Sequence, residues 1–250
     1  MTGAPLEGKV ALVVGGAGMI GGVIARRLSD MGAKIAIMDR NLASDDHVGD
    51  LELEVDLALV ESFGPFCQQI VDDLGSLDIL INAAGVTSLG SFGQITFDEW
   101  NRIQAINLRS VFLACQAAAT IMREAGWGRI VNIGSVLGKN GGNPRPWVDE
   151  SEQDKAANAA YGAAKAGVHA LTLYLAKELA AHGVTVNAIA PGPIASKMTA
   201  NFPETLIRQI PVGRMGRPEE LAGLVAWICA DEGSYMTGEI VDVNGGLWMD

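Results

Sequence analysis

KVALVVGGAGMIGGVIARRLSDMGAKIAIMD, residues 9–39, is the stretch on which the fold turns. Lys9 to Val14 is a short apolar, β-branched run that reads as a buried strand. Glycines follow at 15, 16, 18, 21 and 22, then a helical segment from Val23 to Met31 that stops at Gly32. Lys34 to Met38 is a second strand, closed by Asp39. A strand, a glycine turn, a helix, a strand and an acid form the opening unit of a dinucleotide-binding sheet. Glycines let the backbone approach a pyrophosphate, and the helix start offers free N–H groups and partial positive charge. Asp39 lies 18 residues beyond Gly21, the offset of an acid that accepts from the adenosine ribose hydroxyls. The bland alternative is an ordinary βαβ turn.

Working outward, Arg40 to Asp50 leaves little room for a crossover helix. Leu51 to Val55 reads as strand three, ending in Asp56. Leu59 to Leu74 is amphipathic, with Gly64-Pro65 set to kink or delay its helix. Leu77 to Ile81 is strand four, leading into Asn82-Ala83-Ala84-Gly85. Thr96 starts a helix that runs through Asn107 to about Met122, with Asp98 and Glu99 suiting its first turn. Arg129 to Ile133 is strand five, ending near Ser135, and Val184 to Ala190 is strand six, broken by Pro191-Gly192-Pro193. Pro218 opens a helix to Ala230, and Glu239 to Val243 is the last strand. With no repeat and no linker, the 250 residues read as one α/β domain holding a mostly parallel sheet covered on both faces. In such sheets ligands bind beyond the carboxyl ends of the strands, where Asp39, Asp56, Asn82, Ser135 and Pro191 all fall.

Composition narrows the function. Twenty-nine acids against 18 Lys plus Arg give a net charge of −11, which disfavours a nucleic-acid or anionic-membrane surface. Cys67, Cys115 and Cys229 are scattered and the histidines do not cluster with them, so neither a disulfide frame nor a metal site is expected. The first eight residues lack a signal-peptide pattern, and no uninterrupted apolar run approaches the ~20 residues of a membrane span. A cytoplasmic protein follows as the expectation.

The Ala-rich run from Ala156 to Ala181 reads as helix, and within it Tyr161 and Lys165 lie four apart on one face. A phenol beside an ammonium can serve as an acid/base pair, because the positive charge favours phenolate. Such pairs are also common on ordinary helix surfaces.

Taken together, the Gly15 to Gly21 turn, Asn82-Ala83-Ala84-Gly85, Asn107, Ser135, Tyr161-x-x-x-Lys165 and Pro191-Gly192 resemble the short-chain dehydrogenase/reductase family over essentially the whole chain. The resemblance implies a Rossmann-type, doubly wound, seven-stranded parallel sheet, a nicotinamide dinucleotide, a small-molecule substrate and usually a homotetramer. It implies that Tyr161 is the general acid/base, that Ser135 positions the substrate oxygen, that Lys165 holds the nicotinamide ribose and lowers the Tyr161 pKa, and that Asn107 anchors a water in a proton relay. The cofactor contacts implied are Gly15, Gly18, Met19, Ile20 and Gly21 at the pyrophosphate, Asp39 and Arg40 at the adenosine ribose, and Asp56 and Leu57 at the adenine. Asn82, Ala83, Gly85, Pro191, Gly192, Ile194 and Ser196 complete the set toward the nicotinamide. A carboxylate at Asp39 would repel a 2′-phosphate, so NAD is expected over NADP, with Arg40 partly compensating.

Departures from the family pattern are Val14 where Thr is usual, Met19 where Gly is usual, and a 26-residue interval between Ser135 and Tyr161, about twice the usual one. The extra segment, 138–158, reads as a wall of the substrate pocket with Trp147 facing substrate, or equally as a surface excursion. Residues 193–217 form a second segment able to cover substrate. The expected activity is NAD-dependent interconversion of a secondary alcohol and a ketone, the substrate neutral and moderately apolar. One alternative is a 3-oxoacyl-acyl-carrier-protein reductase, for which Arg129 would serve as a docking cation and His182 stands where a second arginine is usual. Another is a non-catalytic dinucleotide sensor or scaffold, which usually loses the Tyr or Lys kept here.

Overall fold

Strand β1, Val10–Val14, shows how the sheet is built. Val10, Leu12 and Val14 enter one apolar cluster, and Ala11 and Val13 enter the other. Successive side chains of a strand point to opposite faces, so a run apolar at every position must be buried on both. The computed structural model describes residues 3–42, 48–87, 90, 92–142, 159–196 and 204–249. Trp147 and most of the 138–158 segment, with 197–203 of the second segment, lie outside the described residues.

The remaining strands are β2 (Lys34–Asp39), β3 (Leu51–Glu54), β4 (Ile79–Asn82), β5 (Gly128–Ile133), β6 (Val184–Pro191) and β7 (Ile240–Val243). They form one seven-stranded sheet in the order β3-β2-β1-β4-β5-β6-β7, and every pairing is parallel. Among the described residues the α-helices are α1 (Met19–Asp30), α2 (Gly64–Leu74), α3 (Phe97–Gln104), α4 (Ser110–Ala125), α5 (Leu137–Asn140), α6 (Ala159–Leu179), α7 (Glu204–Ile207) and α8 (Pro218–Cys229). Cys67 and Ile70 of α2, Ala118 and Met122 of α4 and Val168 of α6 pack on one face. Ile24 and Leu28 of α1 and Leu221 and Val225 of α8 pack on the other. This is the doubly wound Rossmann-type architecture expected, with the strand order reversing between β1 and β4, where such sheets open a ligand crevice.

Local chemistry sets the element ends. Gly64-Pro65 delays α2 to Gly64, as the fixed φ of proline suits a first helical turn. Thr96 caps α3 by accepting from the Glu99 N–H at 3.2 Å. Between α3 and α4 the chain makes a π turn, Ala105–Arg109, in which Ser110 N–H reaches back to the Ala105 carbonyl. Extra-residue turns of this kind gather at functional sites. The stretch Phe97–Ala125 is long and apolar enough to cross a membrane by length and composition, but half of that window is buried inside the fold. Cys67, Cys115 and Cys229 are free and buried, and burial pushes their thiols up to about 11, 12 and 12.

Candidate functional site

Because all strands run in one direction, the β1, β2, β4, β5 and β6 carboxyl ends share one edge of the sheet. At β1 the chain turns at Gly15, whose φ of 82° only glycine adopts cheaply. A Cβ on Gly15 would stand 2.5 Å from the Ala84 nitrogen, and one on Gly21 would stand 2.1 Å from the Gly15 carbonyl oxygen. Helix α1 therefore begins hard against the turn. Its N-cap, Gly18, offers no side-chain hydrogen bond, and no acid lies in the first turn. The N–H groups of Met19, Ile20 and Gly21 are left for an anion such as a dinucleotide pyrophosphate, while those of Gly15 and Gly18 go to the Met38 and Gly15 carbonyls at 2.7 and 3.1 Å and shape the turn beneath it. Gly21→Ala is expected to cost at least ~2 kcal/mol of stability, because the helix must move off the turn. It should also weaken NAD binding by tenfold or more. Urea unfolding and a fluorescence titration with NAD read the two effects.

Asp39 ends β2 beside this turn, with Oδ2 accepting from Ala17 N–H at 3.2 Å and Oδ1 from Arg40 N–H at 2.7 Å. The carboxylate thus braces the glycine turn, while the Arg40 side chain is exposed. Asp56 Oδ1 accepts from Ala58 N–H at 2.9 Å. Leu57 follows Asp56 at the same strand end. Its side chain is buried in the cluster with Val55, Val60 and Phe63, so only its backbone can face a ligand.

Asn82 ends β4. It is 3% exposed, and its Nδ2 donates to Asn132 Oδ1 at 2.8 Å and toward Cys115 Sγ at 3.4 Å. The side chain ties β4 to β5, leaving contact with a ligand to the backbone of 82–85. Ala83 N–H extends the ladder to the Val14 carbonyl at 2.9 Å. A Cβ on Gly85 would lie 3.0 Å from Asn107 Oδ1 and 3.4 Å from Lys165 Nζ. Gly85 is therefore the gap through which those two groups reach the crevice.

At the other end of the crevice, Ser135 follows β5 and both candidate groups of α6 face it. The Ser135 and Tyr161 side chains are hydrogen-bonded to each other. Ser135 Oγ also accepts from Leu137 N–H at 3.1 Å. Lys165 is buried, its Nζ lies 5.8 Å from the Tyr161 ring centre, and it donates to the Ile133 carbonyl at 2.7 Å. Burial lowers Lys165 to about 8 and raises Tyr161, against which the Ser135 hydrogen bond acts. The net direction at Tyr161 is upward because desolvation of the phenolate outweighs the Ser135 hydrogen bond.

Asn107 sits in the π turn, fully buried. Its Oδ1 accepts from Val86 N–H at 3.1 Å, and its Nδ2 donates to the carbonyls of Val86 at 2.9 Å and Ile103 at 3.0 Å. One amide hydrogen thus clamps the post-β4 loop to the π turn, and the other goes back to α3. With its amide hydrogens taken, what Asn107 can offer a relay water is an acceptor oxygen.

Pro191 ends β6 and its carbonyl accepts from Val136 N–H at 3.0 Å, while Gly192 N–H reaches Val243 at 3.0 Å. A Cβ on Gly192 would meet the Asn244 Cα at 2.9 Å. Ile194 is buried and bridges to Gly216, which brings the start of the second segment and the approach to α8 together. Ser196, two residues further on, is half-buried.

Two residues stand apart from the sequence reading. Arg129 does not present a docking cation. It is 4% exposed, its guanidinium lies 4.4 Å from the Trp127 ring centre, and it donates to the Gly128 carbonyl at 2.9 Å. It also stands near the amino end of β5, away from Ser135. His169, by contrast, has no cysteine or histidine neighbour in sequence to mark it. Its spacing was the available signal: it follows Tyr161 and Lys165 at the same four-residue step, which places it on their face.

Comparison with known proteins agrees with this geometry. The family model described as enoyl-(acyl carrier protein) reductase matches residues 15–248. The chain is 38% identical to the 3-oxoacyl-(acyl-carrier-protein) reductase FabG of Vibrio cholerae, covering 98% of this chain and 99% of the relative. It is 37% identical to the acetoacetyl-CoA reductase of Shinella zoogloeoides, covering 95% and 98%. The solved structure described as gox2181 superposes with a TM-score of 0.86 at 33% identity, covering 98% of this chain and 97% of that one. A mutant short-chain dehydrogenase/reductase of Serratia marcescens gives 0.84, also at 33% identity, covering 97% and 99%. By its sheet order, its crevice and these full-length matches, the chain belongs to the short-chain dehydrogenase/reductase family of oxidoreductases.

Proposed function

We propose that the protein interconverts a 3-oxoacyl thioester and the corresponding 3-hydroxyacyl thioester, using NAD(H). The observation that carries the chemistry is the Ser135–Tyr161 hydroxyl pair with Lys165 buried behind it. Two hydroxyls already within hydrogen-bond reach of each other are placed to converge on one substrate oxygen. The nicotinamide, when bound, supplies or takes up the hydride. The chain supplies the rest. Ser135 Oγ donates to the carbonyl oxygen and holds it, as a neutral donor suited to developing alkoxide charge. Tyr161 gives that oxygen its proton during reduction and takes it back during oxidation. Lys165, fixed on the Ile133 carbonyl, sets a positive charge behind the phenol.

Support for the thioester comes from full-length relatives named as reductases of 3-oxoacyl and acetoacetyl groups. It displaces the neutral, moderately apolar ketone expected from the sequence. Support for NAD(H) comes from the Asp39 carboxylate, which stands at the end of β2 with no positive side chain buried against it among the described residues. A second reading, a simple ketone or secondary alcohol, is favoured by one finding. Arg129 is buried and His182 replaces an arginine, so an acidic carrier protein meets a chain of net charge −11 without a basic docking pair. We also read the protein as a homo-oligomer. Phe112 and Leu171 line an open apolar groove of about 470 Å³ along α4 and α6 that a second copy would cover.

Nicotinamide absorbance separates the substrates. Acetoacetyl-CoA, a 3-oxoacyl carrier-protein conjugate and an uncharged short 3-oxoacyl thioester are compared with cyclohexanone and acetophenone. Turnover of thioesters with kcat/KM at least about tenfold above the ketones is expected. Turnover confined to the ketones would overturn the thioester reading.

A further inference from the structure

Helix α6 grips the carboxyl end of β5 at three successive points. Lys165 Nζ donates to the Ile133 carbonyl at 2.7 Å, and Thr172 Oγ1 accepts from Asn132 Nδ2 at 3.0 Å. Between them, His169 Nε2 accepts the Ser135 N–H at 3.4 Å. This last bond is long, so its contribution is direction more than strength. The neighbouring backbone donors go elsewhere: Gly134 N–H to the Ile189 carbonyl at 2.7 Å and Val136 N–H to the Pro191 carbonyl at 3.0 Å. Among the described residues, His169 is the acceptor for Ser135 N–H.

The imidazole is built into this place. His169 is 6% exposed. A Cβ on Gly134 would stand 2.2 Å from its Nε2, and one on Gly138 would stand 2.9 Å from its Cε1. Glycines on both sides of Ser135 thus make the slot that the ring fills.

We propose that His169 is the positioning residue of Ser135, its Nε2 lone pair fixing the Ser135 backbone and so aiming Oγ at the oxygen shared with Tyr161. The proposal rests on the reading of Ser135 and Tyr161 as the reacting pair. His169 acts through Ser135 and touches no reacting atom. The role requires a neutral ring with its proton on Nδ1. The charged groups facing it are Lys165 on its own helix and Lys139 on α5, the latter paired with Asp242 of β7 at 2.9 Å. Both lysines oppose a third positive charge and, with burial, hold His169 down to about 4. The acceptor therefore persists across the neutral range.

Two measurements test this. Long-range ¹H–¹⁵N spectra of the wild-type imidazoles should show His169 with Nε2 unprotonated from pH 8 to pH 5. A ring protonated on Nε2 at pH 7, or a midpoint near the ordinary 6.5, overturns the proposal. In kinetics, His169→Leu removes the acceptor at similar volume, and His169→Gln restores one. The Leu variant should lose roughly tenfold in kcat with KM within about twofold, as expected of misplacement rather than lost binding. The Gln variant should recover most of that loss. A Leu variant with wild-type kcat, or a Gln variant as impaired as Leu, overturns the proposal. If wild-type protein turns over none of the thioesters or ketones, the functional reading has failed instead, and the imidazole spectra still decide the bond to Ser135.

Discussion

Tyr161→Phe will lower kcat for both directions by about 10³-fold, within the 10²–10⁴ that a positioned general acid or base contributes, while NAD binds as in the wild type. The substitution deletes one oxygen from a ring that otherwise keeps its packing against the Ile103, Ala160 and Ala164 cluster. The fold should therefore survive, and thermal unfolding checks that it does. The direction of the pH response follows from the same site. Burial raises Tyr161, so in the chain alone the phenol keeps its proton through neutrality. Reduction uses that proton and should be favoured at neutral pH. Oxidation needs it gone and should rise with pH. Lys165, at about 8, is mostly cationic at pH 7 and loses its charge as pH climbs through that value. Reduction should therefore fall above pH 8 as the charge behind the phenol disappears. A variant that retains more than a tenth of wild-type kcat would mean that Tyr161 does not move the proton. The sensor reading would gain if the variant binds NAD normally and every biological readout is unchanged.

Asp39→Asn will raise the NADP-to-NAD ratio of kcat/KM by about 30- to 100-fold. Coulomb repulsion between a carboxylate and a phosphate about 4 Å away, near a protein surface, is of the order of 4 kcal/mol per unit charge, and a hundredfold is about 2.7 kcal/mol. Asparagine keeps an oxygen to accept from Ala17 or Arg40 N–H, so the glycine turn stays braced while the charge is lost. The comparison is made as a ratio on one enzyme, which removes any general loss of activity. An unchanged ratio, or a wild type that already prefers NADP, would show that Asp39 does not select the cofactor.

The sheet was legible where the pattern was local. Val10 to Val14 is apolar at every step, the glycines from 15 to 22 punctuate it, and Lys34 to Asp39 repeats the strand, so the first βαβ unit follows from periodicity. The Tyr161 and Lys165 pair was legible for the same reason, a four-residue helical step. What stayed hidden depended on which way a side chain turns after folding. Asn82 reads as a crevice residue, and only the fold shows its amide turned into the core against Asn132, because a buried amide must find partners. Leu57 likewise follows its apolar surface inward. The π turn at Asn107 left no trace, since it exists through a long-range clamp on Val86. The short helix Leu137–Asn140 is four residues, below what periodicity detects. Arg129 looked like a surface cation by residue type and is buried against Trp127 because its place near the start of a central strand leaves no route to solvent.

The most direct test of the account is a crystal structure of the protein with NAD and a non-reacting 3-oxoacyl thioester analogue. Ser135 Oγ and Tyr161 Oη should both lie within ~3 Å of the analogue's keto oxygen, on the side of the crevice where the nicotinamide binds. A keto oxygen held by other groups, with the Tyr161 hydroxyl facing away from the nicotinamide, would contradict it.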